Sequence, residues 1–159
     1  MPVNTGLDEH FMRAALEQAQ RAAASGEVPV GAVLVRDERI ISEGYNQPIS
    51  THDPTAHAEI IALRAAGIEL KSYRLNDCIM YVTLEPCAMC ATAIIHARLR
   101  RLVFAAWDPK AGAGGSVVDI FTAPWVNHRV DVFGGVMQSE AGRLLSEFFA
   151  NRRVRNAAR

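Results

Sequence analysis

The chain has 159 residues, half of them hydrophobic, with 17 basic and 17 acidic side chains. A chain of that length and composition buries a core without disulfide staples, and it lacks the low hydrophobicity and high net charge of a disordered segment. Zero net charge leaves no whole-molecule basic field to attract nucleic acid, so any such contact has to come from a local patch.

Three cysteines are an odd and small number for a secreted disulfide framework. The start, MPVNTGLDEHFMR, has no basic stretch followed by an apolar one, as a signal peptide would. The apolar runs CIMYV (78–82) and CATAII (90–95) are far shorter than a membrane span. These features predict a cytoplasmic protein with no membrane partner.

In chain order, residues 8–25 read as an amphipathic helix. Leu7, Phe11, Ala15 and Ala19 recur at helical spacing, Asp8 and Glu9 occupy the first turn, and Gly26 closes it. The valine-rich VPVGAVLV (28–35) predicts a strand, and Arg36-Asp37-Glu38 turns it into a second strand near 39–45. A loop from Gly44 to Pro54 precedes a helix over 55–66 that ends near Gly67. A strand over 78–84, a helix over 87–97 and a strand over 101–106 follow. The glycine-rich 111–115 lacks the Gly-Lys-Ser/Thr of a phosphate loop and reads as a mobile loop at a strand's carboxyl end. Ser116 and Asp119 frame a short helix start, a strand covers 130–133, and a last helix begins near Ser139 with Leu144, Leu145, Phe148 and Phe149 on one side. Strands alternating with helices predict a largely parallel sheet covered on both faces, with the first hairpin adding an antiparallel strand. The whole reads as one domain, 1–159.

Two segments carry chemistry: His57-Ala58-Glu59 and Pro86-Cys87-Ala88-Met89-Cys90. Each follows an acid-proline pair, Asp53-Pro54 or Glu85-Pro86, and proline suits the first position of a helix. Both segments are therefore expected to open helices, where exposed N–H groups and the dipole favour a thiolate. Cys87 and Cys90, three apart, face one point. With His57 they make three ligands, one short of the four that Zn²⁺ prefers, so water fills the fourth position in the pattern of a catalytic site. Glu59 is too near His57 in sequence to share its helical face, but at a helix start a long carboxylate reaches that water without ligating the metal. It then moves the proton that zinc makes labile near neutral pH, delivering it to a substrate nitrogen so that ammonia leaves.

A lone CxxC is also a redox pair or half of a structural zinc site, but this chain has neither a second CxxC nor an HxxxH. Cys78 begins a strand and reads as a buried apolar thiol. His10, His52, His96 and His128 have no partner spacing and read as surface or capping residues. The tail 143–159 carries five arginines against Glu147, a local charge of +4. Arginines also suit the negative end of a helix, so the tail alone leaves RNA contact and a solvated helix end both open. Phe149 beside Arg152 and Arg153 suits an unstacked base, or it packs in the core.

The combined HxE and PCxxC pattern resembles the zinc-dependent cytidine and deoxycytidylate deaminase superfamily. The likeness continues through VPVGAVLV, GYNQP (44–48), HDPTAHAEI (52–60), YRLNDCIMYVTLEPCAMC (73–90), WDPKAGAGGS (107–116), NHRV (127–130) and LLSEFFANRR (144–153). Over that span the chain resembles the superfamily's bacterial branch specific for a tRNA adenosine. The resemblance implies a three-layer α/β/α fold with a five-stranded mixed sheet flanked by helices, a homodimer, and one Zn²⁺ per subunit. It implies conversion of the wobble adenosine of a tRNA anticodon loop to inosine. It places the zinc ligands on His57, Cys87 and Cys90, the proton shuttle on Glu59, and a contact to the flipped nucleoside on Asn46. Asp108 falls beside the anticodon nucleotides, and Phe149, Arg152 and Arg153 fall on an RNA-touching terminal helix. Cys78 and the bulky Trp107 depart from the pattern. The alternatives are a deaminase of a free base or nucleoside, guanine or cytosine, on the same fold, and a non-catalytic RNA-binding module with structural zinc. The arginine-bearing tail argues against the first, and the open zinc position with Glu59 argues against the second.

Overall fold

Side chains alternate along the central strands, and the alternation divides the core into two apolar layers. Helix α1 (Thr5–Ala24) leads into strands β1 (Gly31–Arg36) and β2 (Arg39–Tyr45), followed by the short α2 (Pro48–Thr51) and α3 (Ala58–Leu70). Then come β3 (Ile79–Leu84), α4 (Ala88–His96), β4 (Arg101–Ala106), β5 (Asp131–Gly134) and α5 (Gln138–Ala157). This computed structural model describes residues 5–159; residues 1–4, the head of the segment read above for a signal peptide, lie outside them. Ala32, Leu34, Met80, Val82, Leu102 and Phe104 join one buried cluster with α3 and α4. Val33, Val35, Tyr81, Val103 and Ala105, their neighbours in sequence, join the other with Phe11, Met12 and Ala15 of α1 and Ala141 of α5. Period-two alternation on a sheet covered on both faces gives this three-layer α/β/α arrangement.

The sheet runs β2-β1-β3-β4-β5, and it is less parallel than the alternation of elements predicts. β3, β4 and β5 pair in parallel, but β1 is antiparallel to both β2 and β3. The cause is the route of the chain. A helical crossover returns β3 in the direction of β2, and β1, lying between them, opposes both. A two-residue turn at Asp37 and Glu38, with φ of 51° and 59°, joins β1 to β2; two positive φ values match the twist of a tight hairpin.

Other boundaries differ locally. α3 runs through Gly67 and stops at Leu70, where Lys71 turns left-handed. Ser116 and Asp119 start no helix; Gly114 and Asp119 instead form an isolated bridge. Neither Pro54 nor Pro86 is the first helical residue. His57 and Cys87, in extended conformation, are the residues that cap α3 and α4. The loop from Gly44 to Pro54 contains α2, opened by Pro48. Among the described residues, no helix is long and apolar enough to cross a membrane.

α3 lies close on β2 because Gly44 has no side chain; a Cβ there would overlap the carbonyl oxygen of Ala58. That contact sets the height of the α3 start over the sheet. α2 is seated from below by Glu27, a buried carboxylate. It accepts hydrogen bonds from the backbone N–H groups of Ile49 (3.1 Å) and Ser50 (2.8 Å). Burial pushes the Glu27 carboxyl up, but the donors at Ser50 and Ile49 together hold it below its ordinary value of 4.5.

At the other end of the sheet, Asp8 of α1 forms a two-pronged ion pair with Arg101 at 2.7 and 2.8 Å. It also accepts the Tyr81 hydroxyl at 2.7 Å. All three are buried, and the Arg101 guanidinium lies 4.7 Å from the centre of the Phe133 ring. The triad ties α1 to β3 and β4.

Removing the aspartate leaves a buried cation unpaired, so Asp8→Ala is expected to cost about 3–5 kcal/mol in urea unfolding. Adding Arg101→Met is expected to recover part of that loss. Glu27 gives a pH dependence. Its folded value lies below its unfolded value, so its stabilisation is complete above the unfolded value and fades as pH falls through the folded one. The stability gap between the protein and Glu27→Gln is therefore expected to narrow between about pH 6 and about pH 3; a gap constant over that range would refute the assignment.

Candidate active site

The starts of α3 and α4 meet above the sheet. Their capping residues, His57 and Cys87, place Nδ1 and Sγ 3.6 Å apart, and Cys90 Sγ lies 3.5 Å from the same nitrogen. The ligand atoms of all three lie within 4.8 Å of one another, and among the described residues they are the one such cluster able to hold a metal. A tetrahedral zinc, with Zn–S of about 2.3 Å and Zn–N of about 2.0–2.1 Å, requires sulfur and nitrogen about 3.5 Å apart. The three side chains fit that ion, through Nδ1 rather than Nε2 of the histidine. A fourth protein ligand is not among the described residues. Cys78 in particular is buried in the apolar layer under α3 and α4, where burial raises its thiol.

The electrostatics suit a cation. Cys87 is pulled down to about 4, first by the hydrogen bond from the Cys90 thiol, against burial, and then by His57. Cys90 moves upward because it keeps the proton it shares with Cys87 and because it is buried. His57 is raised, chiefly by its bond to Cys87. A thiolate at a helix start also offsets the positive end of α4.

Glu59, the second residue of α3, is 4% exposed. Burial raises its carboxyl above the ordinary value, and its own backbone N–H and the Cys90 thiol only partly offset this. The carboxyl is thus beside the ligand cluster and biased toward holding a proton. Asn46, the residue after β2, reaches the start of α3, where its Oδ1 accepts the Ala58 N–H at 2.8 Å. That bond caps α3 and leaves His57 unspent on capping. It also fixes the amide orientation, with Nδ2 turned to donate elsewhere.

The segment after β4 packs beside the residues that lead into α4. Asp108 Oδ1 accepts the N–H groups of Lys110 (3.0 Å) and Ala111 (3.2 Å), so the residue shapes its own turn. The 111–115 segment, expected to be mobile, is held in place. Ala113 is fully buried and donates its N–H to the Pro86 carbonyl at 2.8 Å. The Glu85 carboxylate takes the N–H groups of Asp108, Gly114 and Ser116. Sequence reasoning assigned Glu85 and Glu27 no part, since a carboxylate bonded to a remote backbone leaves no pattern in either segment. Trp107 stands 45% exposed on this rim, edge-on to Phe104 with ring centres 4.7 Å apart.

The terminal residues lie on α5, away from the core. Phe149 is 39% exposed and meets Phe148 edge to face at 5.5 Å; Arg152 and Arg153 are exposed. Arg152 lines a groove between α5 and the end of α1 with Arg155 and Arg159. His128 Nε2 lies 2.8 Å from the Leu99 carbonyl oxygen, in the loop between α4 and β4.

Comparison with known proteins agrees with this geometry. The family described as cytidine and deoxycytidylate deaminase zinc-binding region matches residues 5–106. The chain is 53% identical to the tRNA-specific adenosine deaminase of Haemophilus influenzae, covering 95% of this chain and 88% of that one. It is 40% identical to the tRNA-specific adenosine deaminase of Bacillus subtilis, covering 96% and 95%. A solved tRNA:A34 deaminase structure superposes with a TM-score of 0.84 at 48% identity, covering 86% of this chain and 99% of the other. The chain therefore belongs to the zinc-binding cytidine and deoxycytidylate deaminase family, and within it to the tRNA-specific adenosine deaminases.

Proposed function

We propose that this protein hydrolyses the exocyclic amine of the wobble adenosine in a tRNA anticodon loop, giving inosine and ammonia. One observation carries the reading. The His57–Cys87–Cys90 cluster, with the buried Glu59 carboxyl against it, stands in a chain 53% identical to a tRNA-specific adenosine deaminase over nearly its whole length. Zinc, when held by His57 Nδ1 and the two sulfurs, supplies a water acidified to a pKa of about 7.

The chain's own residues do the rest. Glu59 takes up the proton released as C6 of the adenine is attacked and gives it to the departing nitrogen, a transfer that its raised carboxyl favours. Asn46 Nδ2 donates to the nucleoside. The turn at Asp108 forms the wall beside the neighbouring nucleotides. Phe149 offers an aromatic face to an unpaired base, and Arg152 and Arg153 offer charge to the phosphates. The same reading takes residues 1–159 as one deaminase domain, acting as a homodimer in the cytoplasm.

The test is inosine formation in an anticodon stem-loop RNA by zinc-loaded protein, with free adenosine, cytidine and guanine run in parallel. Inosine confined to the loop adenosine is expected; ammonia from a free base instead would move the enzyme to small-molecule substrates. The guanine arm matters because the Nitrosomonas europaea guanine deaminase shares the fold, with a TM-score of 0.78 at 26% identity. Glu59→Ala is expected to lower kcat by about 10²-fold or more while zinc content is unchanged. Arg152→Ala with Arg153→Ala is expected to raise KM for the stem-loop. It is also expected to flatten the dependence of log KM on log salt by about 0.7 for each phosphate no longer neutralised. An unchanged salt slope would leave the two arginines as solvated helix-end residues.

A further inference from the structure

The Glu85 carboxylate is buried, 2% exposed, and is neither a metal ligand nor an ion-pair partner among the described residues. Both of its oxygens are nonetheless fully engaged. Oε1 accepts the Asp108 N–H at 3.0 Å and the Ser116 hydroxyl. Oε2 accepts the N–H groups of Gly114 at 2.9 Å and Ser116 at 3.0 Å. All four donors belong to the segment from Asp108 to Ser116, which leaves the end of β4. Glu85 itself leaves the end of β3 and stands two residues before Cys87. Its own N–H is bonded to the Ala106 carbonyl at 2.8 Å.

Packing agrees with the hydrogen bonds. A Cβ at Gly112 would overlap the Glu85 carboxylate and the Asp108 carbonyl oxygen. The loop fits this carboxylate because that position carries no side chain. Four donors around one anion form a charge-assisted network. A substitution that removes an acceptor leaves the partly buried N–H groups of Asp108 and Gly114 without their partner.

We propose that Glu85 is a positioning residue for the reaction. It locks the rim that bears Trp107 and Asp108 at a fixed place relative to the Cys87 end of α4, so that recognition of the nucleotides around the target depends on it. The inference rests on the reading of the site as one that takes an RNA loop. Glu85 touches neither substrate nor metal; it acts through Asp108 and its turn. A glutamine in its place keeps the size but turns an NH₂ group toward backbone N–H donors, which releases the rim without opening a cavity.

The experiment uses zinc-loaded, full-length protein and a graded pair, Ser116→Ala and Glu85→Gln. KM for the anticodon stem-loop is expected to rise about threefold for the first and about tenfold or more for the second. The fall in kcat is expected to be smaller than the rise in KM, and zinc content is expected to stay at that of the unaltered protein. A second readout needs no substrate. The chain has two tryptophans, Trp107 and Trp125, so in a Trp125→Phe background the emission reports the rim alone. Acrylamide quenching of Trp107 is expected to increase in Glu85→Gln and, to a lesser degree, in Ser116→Ala. KM and quenching both within twofold of the unaltered protein would overturn the proposal. So would losses that follow zinc release or a lowered Tm in proportion, since those mark a purely structural role. If the unaltered protein makes no inosine in any stem-loop, the function reading fails, and the quenching series still decides whether Glu85 holds the rim.

Discussion

Two helices begin at nearly the same point in this protein, and that constraint shapes the rest. A helix start presents unpaired N–H groups and a positive partial charge, so bringing two together without anions is unfavourable. The chain places a thiol of depressed pKa, Cys87, at the start of α4, 3.6 Å from the histidine that caps α3. The capping work at α3 is delegated to Asn46, which leaves the His57 ring free to face the sulfurs. The geometry that relieves the two helix ends is also the geometry that suits a tetrahedral cation.

Holding both starts in place takes contacts far from the metal cluster. α3 is set by its close approach to Gly44. α4 is set by β3, which is flanked by β1 and β4 and covered on both faces. α1 is fastened on the opposite face through Asp8, Arg101 and Tyr81, at the end of the sheet remote from the chemistry. A buried ion pair of this kind contributes little net stability when whole and costs much when broken. Its effect here is to fix where α1 sits.

The metal cluster was legible because ligand chemistry demands residue types at short spacings, and His57, Glu59, Cys87 and Cys90 keep those spacings. The five strands and the four longer helices were legible to within a few residues, because each buries a face and the burial imposes a period on the side chains; α2, which buries no residue, was read as loop, and the helix start expected at Ser116 and Asp119 is a bridge instead. The antiparallel placement of β1 against β3 was not, since no local pattern in VPVGAVLV says which strand lies on its far side. The prolines misled in detail. Pro86 stands before the cap rather than in the helix, because Cys87 must be extended to turn its sulfur toward His57. The fixed loop at 111–115 was hidden for a different reason. Glycines there read as freedom, but Gly112 is small because Glu85 occupies the space beside it.

Three buried glutamates make the underlying logic plain. Glu27, Glu59 and Glu85 are each at most 4% exposed, and burial pushes all three carboxyls upward. At Glu27 and Glu85 that push is overcome by backbone donors, from the start of α2 and from the loop after β4, together with a serine hydroxyl, and the carboxyl ends below its ordinary value. Each therefore stays an anion and holds a neighbouring segment, the start of α2 at Glu27 and the turn after β4 at Glu85. At Glu59 the donors are fewer, its own N–H and the Cys90 thiol, and the carboxyl ends above its ordinary value. The same residue type is a fixed anchor where N–H groups surround it and leans toward its protonated form where they do not, which is what the role proposed for Glu59 requires. What separates the two environments is the set of donors that each carboxyl faces once burial has pushed it up.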